Sequence, residues 1–126
     1  MIGKIELMDK IEEFLSYYDK MDTDAHNRHD KRTESYALSM WCVFRSLKGK
    51  IKLYFRDHKY AKGLSEKKIF EILEERKQHY LECMQKDLES KFEYQQNLYK
   101  DHKGTYDCCS MVEKRLRTWF KNREAK

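Results

Sequence analysis

The chain has 126 residues, of which 39% are charged and 40% hydrophobic, with four Gly, no Pro and a formal net charge of +5. This length suits one domain, and the apolar fraction can bury enough surface to offset chain entropy, which excludes a disordered tail. No apolar run approaches the roughly 20 residues of a membrane helix, and acids occur too early for a signal peptide. We therefore expect a cytoplasmic protein, of the cell or of a host, whose four Cys stay reduced.

The first predicted element is a helix over residues 3–21, followed by a loop over residues 22–30. Apolar residues recur in the helix at steps of three and four, which is the period of one helical face. The predicted inner face consists of Ile5, Met8, Ile11, Leu15 and Tyr18, widened by Leu7, Phe14 and Met21. The loop is predicted because its residues are polar and rich in turn formers.

A second helix is predicted over residues 35–62, with Thr33 or Ser35 as its N-cap. Its inner face consists of Met40, Phe44, Leu47, Ile51 and Tyr54, broadened by Trp41, Val43 and Phe55. Residues 50–55 also alternate in part between polar and apolar, so a short strand is the alternative there. We favour the helix because no second strand is available for pairing, and we expect Gly63 to end the element.

The third predicted helix spans residues 66–103, with Ser65 as its N-cap. Its apolar face consists of Ile69, Leu73, Leu81, Met84, Leu88, Phe92 and Tyr99. An unbroken helix of this size would be about 50 Å long at 1.5 Å per residue, so it either kinks or protrudes beyond the other helices. A protruding arm with apolar positions such as Tyr94 favours contact with a partner or with its own copy, and hence a homodimer.

The last predicted helix spans residues 105–124, with Gly104 before it and Thr105 as its cap. Its inner stripe consists of Cys109, Val112, Leu116 and Trp119, with Phe120 beside them. Helix-favouring residues are abundant along the whole chain and Pro is absent. We therefore predict a single all-α domain over residues 1–126, a bundle of about four helices with one long third helix that kinks or protrudes.

Positive charge is concentrated in two segments. Residues 36–65 carry seven bases against one acid, and residues 96–126 carry eight against four, whereas the other two segments are net acidic. If the second and fourth helices pack side by side, their outer faces form one positive surface with aromatic residues among the bases. Such a surface suits a nucleic acid, with charge for phosphates and rings for bases. The alternative is a solvated lysine face over an aromatic core.

We predict a small, non-catalytic, nucleic-acid-binding accessory protein that uses this surface to bind DNA or RNA. The predicted binding residues are Arg45, Lys48, Lys52, Arg56, Lys59, Tyr60, Arg115, Arg117, Lys121, Asn122 and Arg123. The alternative is a protein-interaction module, an inhibitor or adaptor in the style of small phage or mobile-element proteins, docking on an acidic or nucleic-acid-binding partner. Salt separates the two hypotheses, because phosphate contacts give a steep salt dependence with any nucleic acid.

The last eight residues, WFKNREAK, resemble the end of a homeodomain recognition helix, whose pattern is W-F-x-N-R-R-x-K. The roles that the resemblance implies are core packing for Trp119 and Phe120, a base contact for Asn122, and phosphate contacts for Arg123 and Lys126. Glu124 departs from the pattern, because the family has an Arg there to hold phosphate. We therefore interpret the segment as an amphipathic terminal helix rather than as a member of that family.

Metal binding and catalysis have only weak candidates. His79 and Cys83 lie four residues apart in a helical pattern and so share a face, a spacing compatible with Zn²⁺; a thiol from residues 108–109 would complete the site. His26 and His29 form a second pair in the predicted loop. Buried Cys and surface His explain both pairs, and the chain has no phosphate-binding Gly loop, G-x-S-x-G or H-E-x-x-H. We therefore expect no cofactor, no metal and no enzymatic activity.

Overall fold

The structure, a computed structural model, describes residues 1–125 and confirms an all-α bundle. Its elements are β1 (Ile2–Gly3), α1 (Lys4–Asn27), α2 (Lys31–Asp57), β2 (Gly63–Leu64), α3 (Glu66–Glu89) and α4 (Glu93–Glu124). None of the helices it describes combines the length and apolar character needed to cross a lipid bilayer. The region for which a strand was the alternative, residues 50–55, lies inside α2.

The helices form two antiparallel hairpins that pack on each other. α1 lies against α2, α3 lies against α4, and α2 also contacts both helices of the second hairpin. The largest fully buried side chains are Tyr18, Phe44, Ile2, Leu7, Ile11, Met40, Leu47, Ile51, Leu64, Ile69, Leu116 and Val43. Burial of one such Leu, Ile or Phe side chain contributes about 1.5–3 kcal/mol, so this shared core holds the two hairpins together.

The predicted inner faces are correct over most of their length but rotated at their ends. Ile5 is 78% exposed, and Leu7 takes its place in the core of α1. At the other end of the chain, Phe120 is buried whereas Trp119 is only half-buried. Both differences have one cause. When the apolar stripe of a helix is wide, the sequence does not determine the rotation of the helix about its own axis relative to its neighbours.

A two-residue strand pair fixes where the second hairpin begins. Ile2 pairs with Leu64 and Gly3 with Gly63 in antiparallel register, and the amide of Lys4 donates a 3.1 Å hydrogen bond to the carbonyl of Lys62. The chain therefore returns after α2 to the start of α1. α3 begins at this end of the bundle because the Ser65 side chain caps it, accepting a hydrogen bond from the amide of Lys68 at 3.1 Å.

The predicted loop over residues 22–30 is wrong, because α1 continues through Asn27. Ala25 is fully buried, so packing outweighs the turn preference of the polar residues around it. The N-cap of α2 is Asp30 rather than Thr33 or Ser35. Its carboxylate accepts hydrogen bonds from the amide and hydroxyl of Thr33 at 3.1 and 2.7 Å, and these bonds lower the pKa of Asp30.

The single long third helix over residues 66–103 is not formed. α3 ends at Glu89. In the turn that follows, the hydroxyl of Ser90 accepts a 3.1 Å hydrogen bond from the amide of Phe92, which is the N-cap of α4. The predicted break at Gly104 lies inside α4. Thr105 is no cap there, because its hydroxyl donates to the carbonyl of Asp101 at 3.0 Å within the helix.

The free end of the second hairpin has few fully buried side chains. We call this end, residues 74–107, the arm; within it only Asp87 is buried. Leu88, Phe92 and Tyr94 are more than 60% exposed, and Leu98 is 41% exposed. This part of the chain is thus a helical hairpin rather than one long helix, and these four apolar side chains are exposed while others of the arm, such as Tyr80, are half-buried.

Two glycines are expected to respond in opposite ways to replacement by Ala. A methyl group at Gly49 meets nothing within 4 Å inside α2, so Gly49→Ala should raise the free energy of unfolding by about 0.5–1 kcal/mol. At Gly63 the same methyl group would collide with the carbonyl oxygen of Ile2, so Gly63→Ala should lower stability by more than about 1 kcal/mol. Urea unfolding of both variants measures this, and a stable Gly63→Ala would contradict the strand pair.

Candidate nucleic-acid interface

The outward face of α2 carries part of the predicted interface. Arg45, Lys52 and Arg56 are exposed on it. The guanidinium of Arg45 lies 5.1 Å from the centre of the Trp41 ring, which holds the charge at the surface beside an aromatic plane. Lys48 differs from the others, since it turns toward α1 and forms an ion pair with a carboxylate there.

The partner of Lys48 is Glu12, so this lysine is partly neutralised within the fold. Arg56 also has a carboxylate nearby, its Nε donating to Oδ1 of Asp57 at 3.2 Å. Both partners of that second pair are exposed, and such surface pairs contribute at most about 1 kcal/mol. Arg56 therefore stays available to an external phosphate, whereas Lys48 is the weaker candidate.

The loop that joins α2 to β2 presents the other predicted residues. Lys59 is exposed, and the ring of Tyr60 beside it is 98% exposed. The strand pair brings Lys4 and Lys62 to the same end of the molecule. The Lys4 ammonium lies 5.4 Å from the centre of the Phe55 ring, near the end of α2.

The first turn of α3 adds charge to this end. Lys67 is exposed there, and the ammonium of Lys68 lies 5.7 Å from the centre of the Tyr54 ring of α2. The unpaired amides at a helix N-terminus add a partial positive charge of their own. We call the following set the basic end: Lys4, Arg56, Lys59, Tyr60, Lys62, Lys67 and Lys68.

Four lysines of the basic end, at positions 4, 59, 62 and 67, have no carboxylate within 4 Å among residues 1–125. The predicted binding set missed three of them, Lys4, Lys62 and Lys67. Only the charge density of residues 59–68, four lysines against one acid, signalled part of this group. The contribution of Lys4 depends on a strand pair that periodicity does not predict.

The predicted α4 residues do not join this surface as one block. Arg117 donates to Glu113 on α4 itself at 2.9 Å, and its guanidinium lies 4.3 Å from the centre of the Phe70 ring of α3. Arg123 donates to Glu6 of α1 at 2.9 Å. Among the predicted α4 residues, Lys121 and Asn122 are exposed and make no such contact within the described part of the chain.

The exposed Arg115 lies beside two tyrosines. It lies next to Tyr18 of α1 and Tyr36 of α2, and burial, reinforced by Tyr36 and opposed by Arg115, raises the pKa of Tyr18 to about 12. Tyr18 therefore stays neutral at physiological pH. Of the positions matched to the homeodomain pattern, Phe120 is in the core and Asn122 is exposed; the matched Lys126 lies outside the described residues.

The candidate metal ligands are not gathered into a site. Nε2 of His79 lies 3.7 Å from Sγ of Cys83, but within residues 1–125 no three His, Cys, Asp or Glu side chains are arranged to hold a metal ion. Burial raises the pKa of Cys108 to about 11 and that of Cys109 to about 12. Burial also raises the pKa of Cys42, despite a nearby Arg45, so these three thiols are poor nucleophiles.

The face of α3 that points to solvent has the opposite charge. Glu71, Glu74, Glu75 and Glu82 line a shallow depression there, together with His79. Negative charge of this density repels a phosphate backbone, so any polyanion would approach from the basic end and the outer face of α2. No family model, curated protein or solved structure matches the chain.

Proposed function

We propose that this chain is a small, non-catalytic accessory protein that binds nucleic acid with the basic end and the adjacent outer face of α2. One observation carries the proposal. The exposed Tyr60 is flanked by Lys59 and Lys62, and the strand pair brings Lys4, from the other end of the first hairpin's sequence, to the same end of the molecule. Phosphates release counterions when such lysines neutralise them. An unpaired ring among them offers a surface on which a base stacks.

Single-stranded nucleic acid fits this surface better than a duplex does. Among the described residues no other ring packs on Tyr60, so its faces are open to a base. Bases of a duplex are already stacked, whereas an unpaired base gains about 1–3 kcal/mol from an aromatic side chain.

The proposal predicts binding that depends on charge at the basic end. Fluorescence anisotropy with labelled single-stranded DNA, RNA and duplex DNA, from 50 to 200 mM salt, should give micromolar affinity that weakens steeply with salt. Lys59→Glu/Lys62→Glu should weaken binding at least tenfold. The matched control Lys20→Glu/Lys31→Glu changes two exposed lysines near the opposite end of the first hairpin and should bind as the wild type does.

A stacking role for Tyr60 has a separate signature. Tyr60→Ala should weaken binding of single strands about 5- to 150-fold, the equivalent of about 1–3 kcal/mol, and change duplex binding little. Tyr60→Phe should restore the affinity. Equal loss for all three nucleic acids would remove the stacking role while leaving the electrostatic one.

Absence of binding to any of these nucleic acids at 50 mM salt would contradict the proposal. The second hypothesis, a module that docks the same basic end on an acidic protein surface, would then take its place. It predicts that the Lys59→Glu/Lys62→Glu variant loses one specific protein partner while polyanions compete for the site.

A further inference from the structure

The outer face of α2 carries a row of cations that continues the charge of the basic end. Arg45, Lys52 and Arg56 are exposed on it, and we call these three residues the α2 row. At about 3.6 residues per turn, all three lie within about 60° of Trp41 around the helix axis. Neither Arg45 nor Lys52 has a carboxylate within 4 Å among residues 1–125. Both are therefore available to an external phosphate.

Gly49 leaves the middle of the α2 row without a side chain. It lies between Arg45 and Lys52 in the chain, on the same side of the helix, and is exposed. A methyl group at this position would meet nothing within 4 Å, so the helix backbone is open there. The backbone of a ligand can approach closely at such a position. The outer face of α2 is thus a shallow track with cations along it.

Trp41 lies at the end of this track that is farthest from Tyr60. The guanidinium of Arg45 lies over its half-buried ring. A second, shallow depression beside the same ring is lined by Leu38, whose side chain is 50% exposed, and not by Arg45. An aromatic ring with an apolar neighbour is a surface on which a nucleobase stacks. The track therefore ends at an aromatic side chain in both directions.

Two carboxylates line the same depression and determine how a strand would lie there. Asp19 and Asp22 have no cation within 4 Å in the described part of the chain, so they repel phosphates. Their oxygens accept hydrogen bonds of the kind that the amino group of cytosine donates. A strand whose phosphates follow the α2 row and whose last base turns into the depression satisfies the cations and the carboxylates together.

The length of the track determines how long a strand must be to reach both rings. From Trp41 to Asp57, where α2 ends, the helix rises about 24 Å at 1.5 Å per residue. Tyr60 lies just beyond that end. With about 3.4 Å between successive stacked bases, the span corresponds to about seven nucleotides, and an extended strand needs fewer. A trimer is too short to reach from one ring to the other.

We propose that Trp41 is a second base-binding site, and that a single strand runs from Tyr60 along the outer face of α2 to reach it. This inference rests on the proposed nucleic-acid function and adds to it the path of the strand and its minimum length. Strands of about six or more nucleotides occupy both rings and the cations between them. Shorter strands occupy one ring only.

Affinities for oligo(dC) of three and ten nucleotides at 50 mM salt test this path. The decamer should bind the wild type at least tenfold more tightly than the trimer does. Trp41→Leu keeps an apolar side chain on the core but has no ring, so it should weaken decamer binding at least fivefold and trimer binding by no more than twofold. The matched control Trp119→Leu changes the other half-buried tryptophan and should bind both as the wild type does.

The same two variants give a spectroscopic signature, because the chain has only two tryptophans. In Trp119→Leu all tryptophan emission comes from Trp41, and saturation with the decamer should quench it because a base stacks on the ring. In Trp41→Leu the emission comes from Trp119 and should stay unchanged when the decamer binds.

Two results would overturn the inference while leaving nucleic-acid binding intact. One is a Trp41→Leu variant, folded by circular dichroism, that binds the decamer as tightly as the wild type does. The other is unquenched Trp41 emission in a Trp119→Leu protein that is saturated with the decamer. If neither oligonucleotide bound the wild type, the proposed function itself would fail, so the two failures are distinguishable.

Discussion

Replacement of His102 by Ala is expected to lower the free energy of unfolding by about 3 kcal/mol. The Asp87 carboxylate is 1% exposed and lies on α3, where its Oδ2 is 2.5 Å from Nδ1 of His102 on α4. Removal of one member of a buried pair leaves a charge that neither water nor protein compensates, which costs about 3–5 kcal/mol. We take the lower limit because the His102 side chain is 30% exposed.

In the His102→Ala variant, the loss of stability should appear in the arm before it affects the whole bundle. Asp87 is the only fully buried residue of the arm, whose other packed side chains are half-buried, so the arm should open more readily than the core does. Hydrogen exchange of His102→Ala should show faster exchange in residues 74–107 and unchanged protection in α1 and in the buried part of α2. Urea unfolding gives the magnitude, and Leu88→Ala on the same arm is the control for an exposed position.

A double variant separates the unpaired charge from lost packing. Asp87→Leu/His102→Leu replaces the pair by apolar side chains and should be far more stable than His102→Ala, because no buried charge remains. The opposite result, a double variant less stable than His102→Ala, would mean that packing rather than charge dominates. A loss below about 1 kcal/mol for His102→Ala would show that water already reaches the carboxylate.

The contact between Asp87 and His102 could not be predicted from the sequence. Asp87 and His102 are 15 residues apart in a stretch whose apolar spacing predicts one continuous helix. The chain reverses at Ser90, where the amide nitrogen of the Gln96 side chain donates to the Ser90 carbonyl at 2.8 Å and closes the turn. No Pro or Gly marks this turn, whereas Gly104 suggested a break that helix packing overrides.

Elements with strong local signals were predicted well. Ser65 is the N-cap of α3 as expected, and the absence of Pro correctly indicated helix throughout the chain. Predictions failed where tertiary contacts compete with local preference. Ala25 shows this most clearly, since its burial extends α1 through residues that otherwise favour a turn.

The candidate interface was predictable only where it depends on charge density. The concentration of lysine and arginine in α2 is evident from composition alone, and most of these residues lie on the outer face of the helix. The ion pairs that the arginines of α4 form within the fold do not follow from composition. Arg123 meets Glu6, 117 residues away in sequence, and no local pattern indicates that ion pair.

The second large effect is expected at the centre of the first hairpin. The Phe44 ring is fully buried and stacks on the rings of Phe14 and Tyr18, with centroid distances of 4.5 and 5.8 Å. Phe44→Ala removes the ring and leaves a cavity, at a cost of about 3–5 kcal/mol. Because domains of this size have about 5–15 kcal/mol of total stability, the variant should melt at least about 10 °C lower.

Two controls make the Phe44 result specific. Leu38→Ala lies on the same helix at 50% exposure and should change stability by less than about 1 kcal/mol. Phe44→Leu keeps most of the volume and should lose less than the Ala variant. If Phe44→Ala unfolded within 1 kcal/mol of the wild type, the α1–α2 hairpin would not depend on this aromatic stack. Unfolding of both hairpins together, by fluorescence and by far-ultraviolet circular dichroism, should accompany the loss because Phe44 belongs to the core that they share.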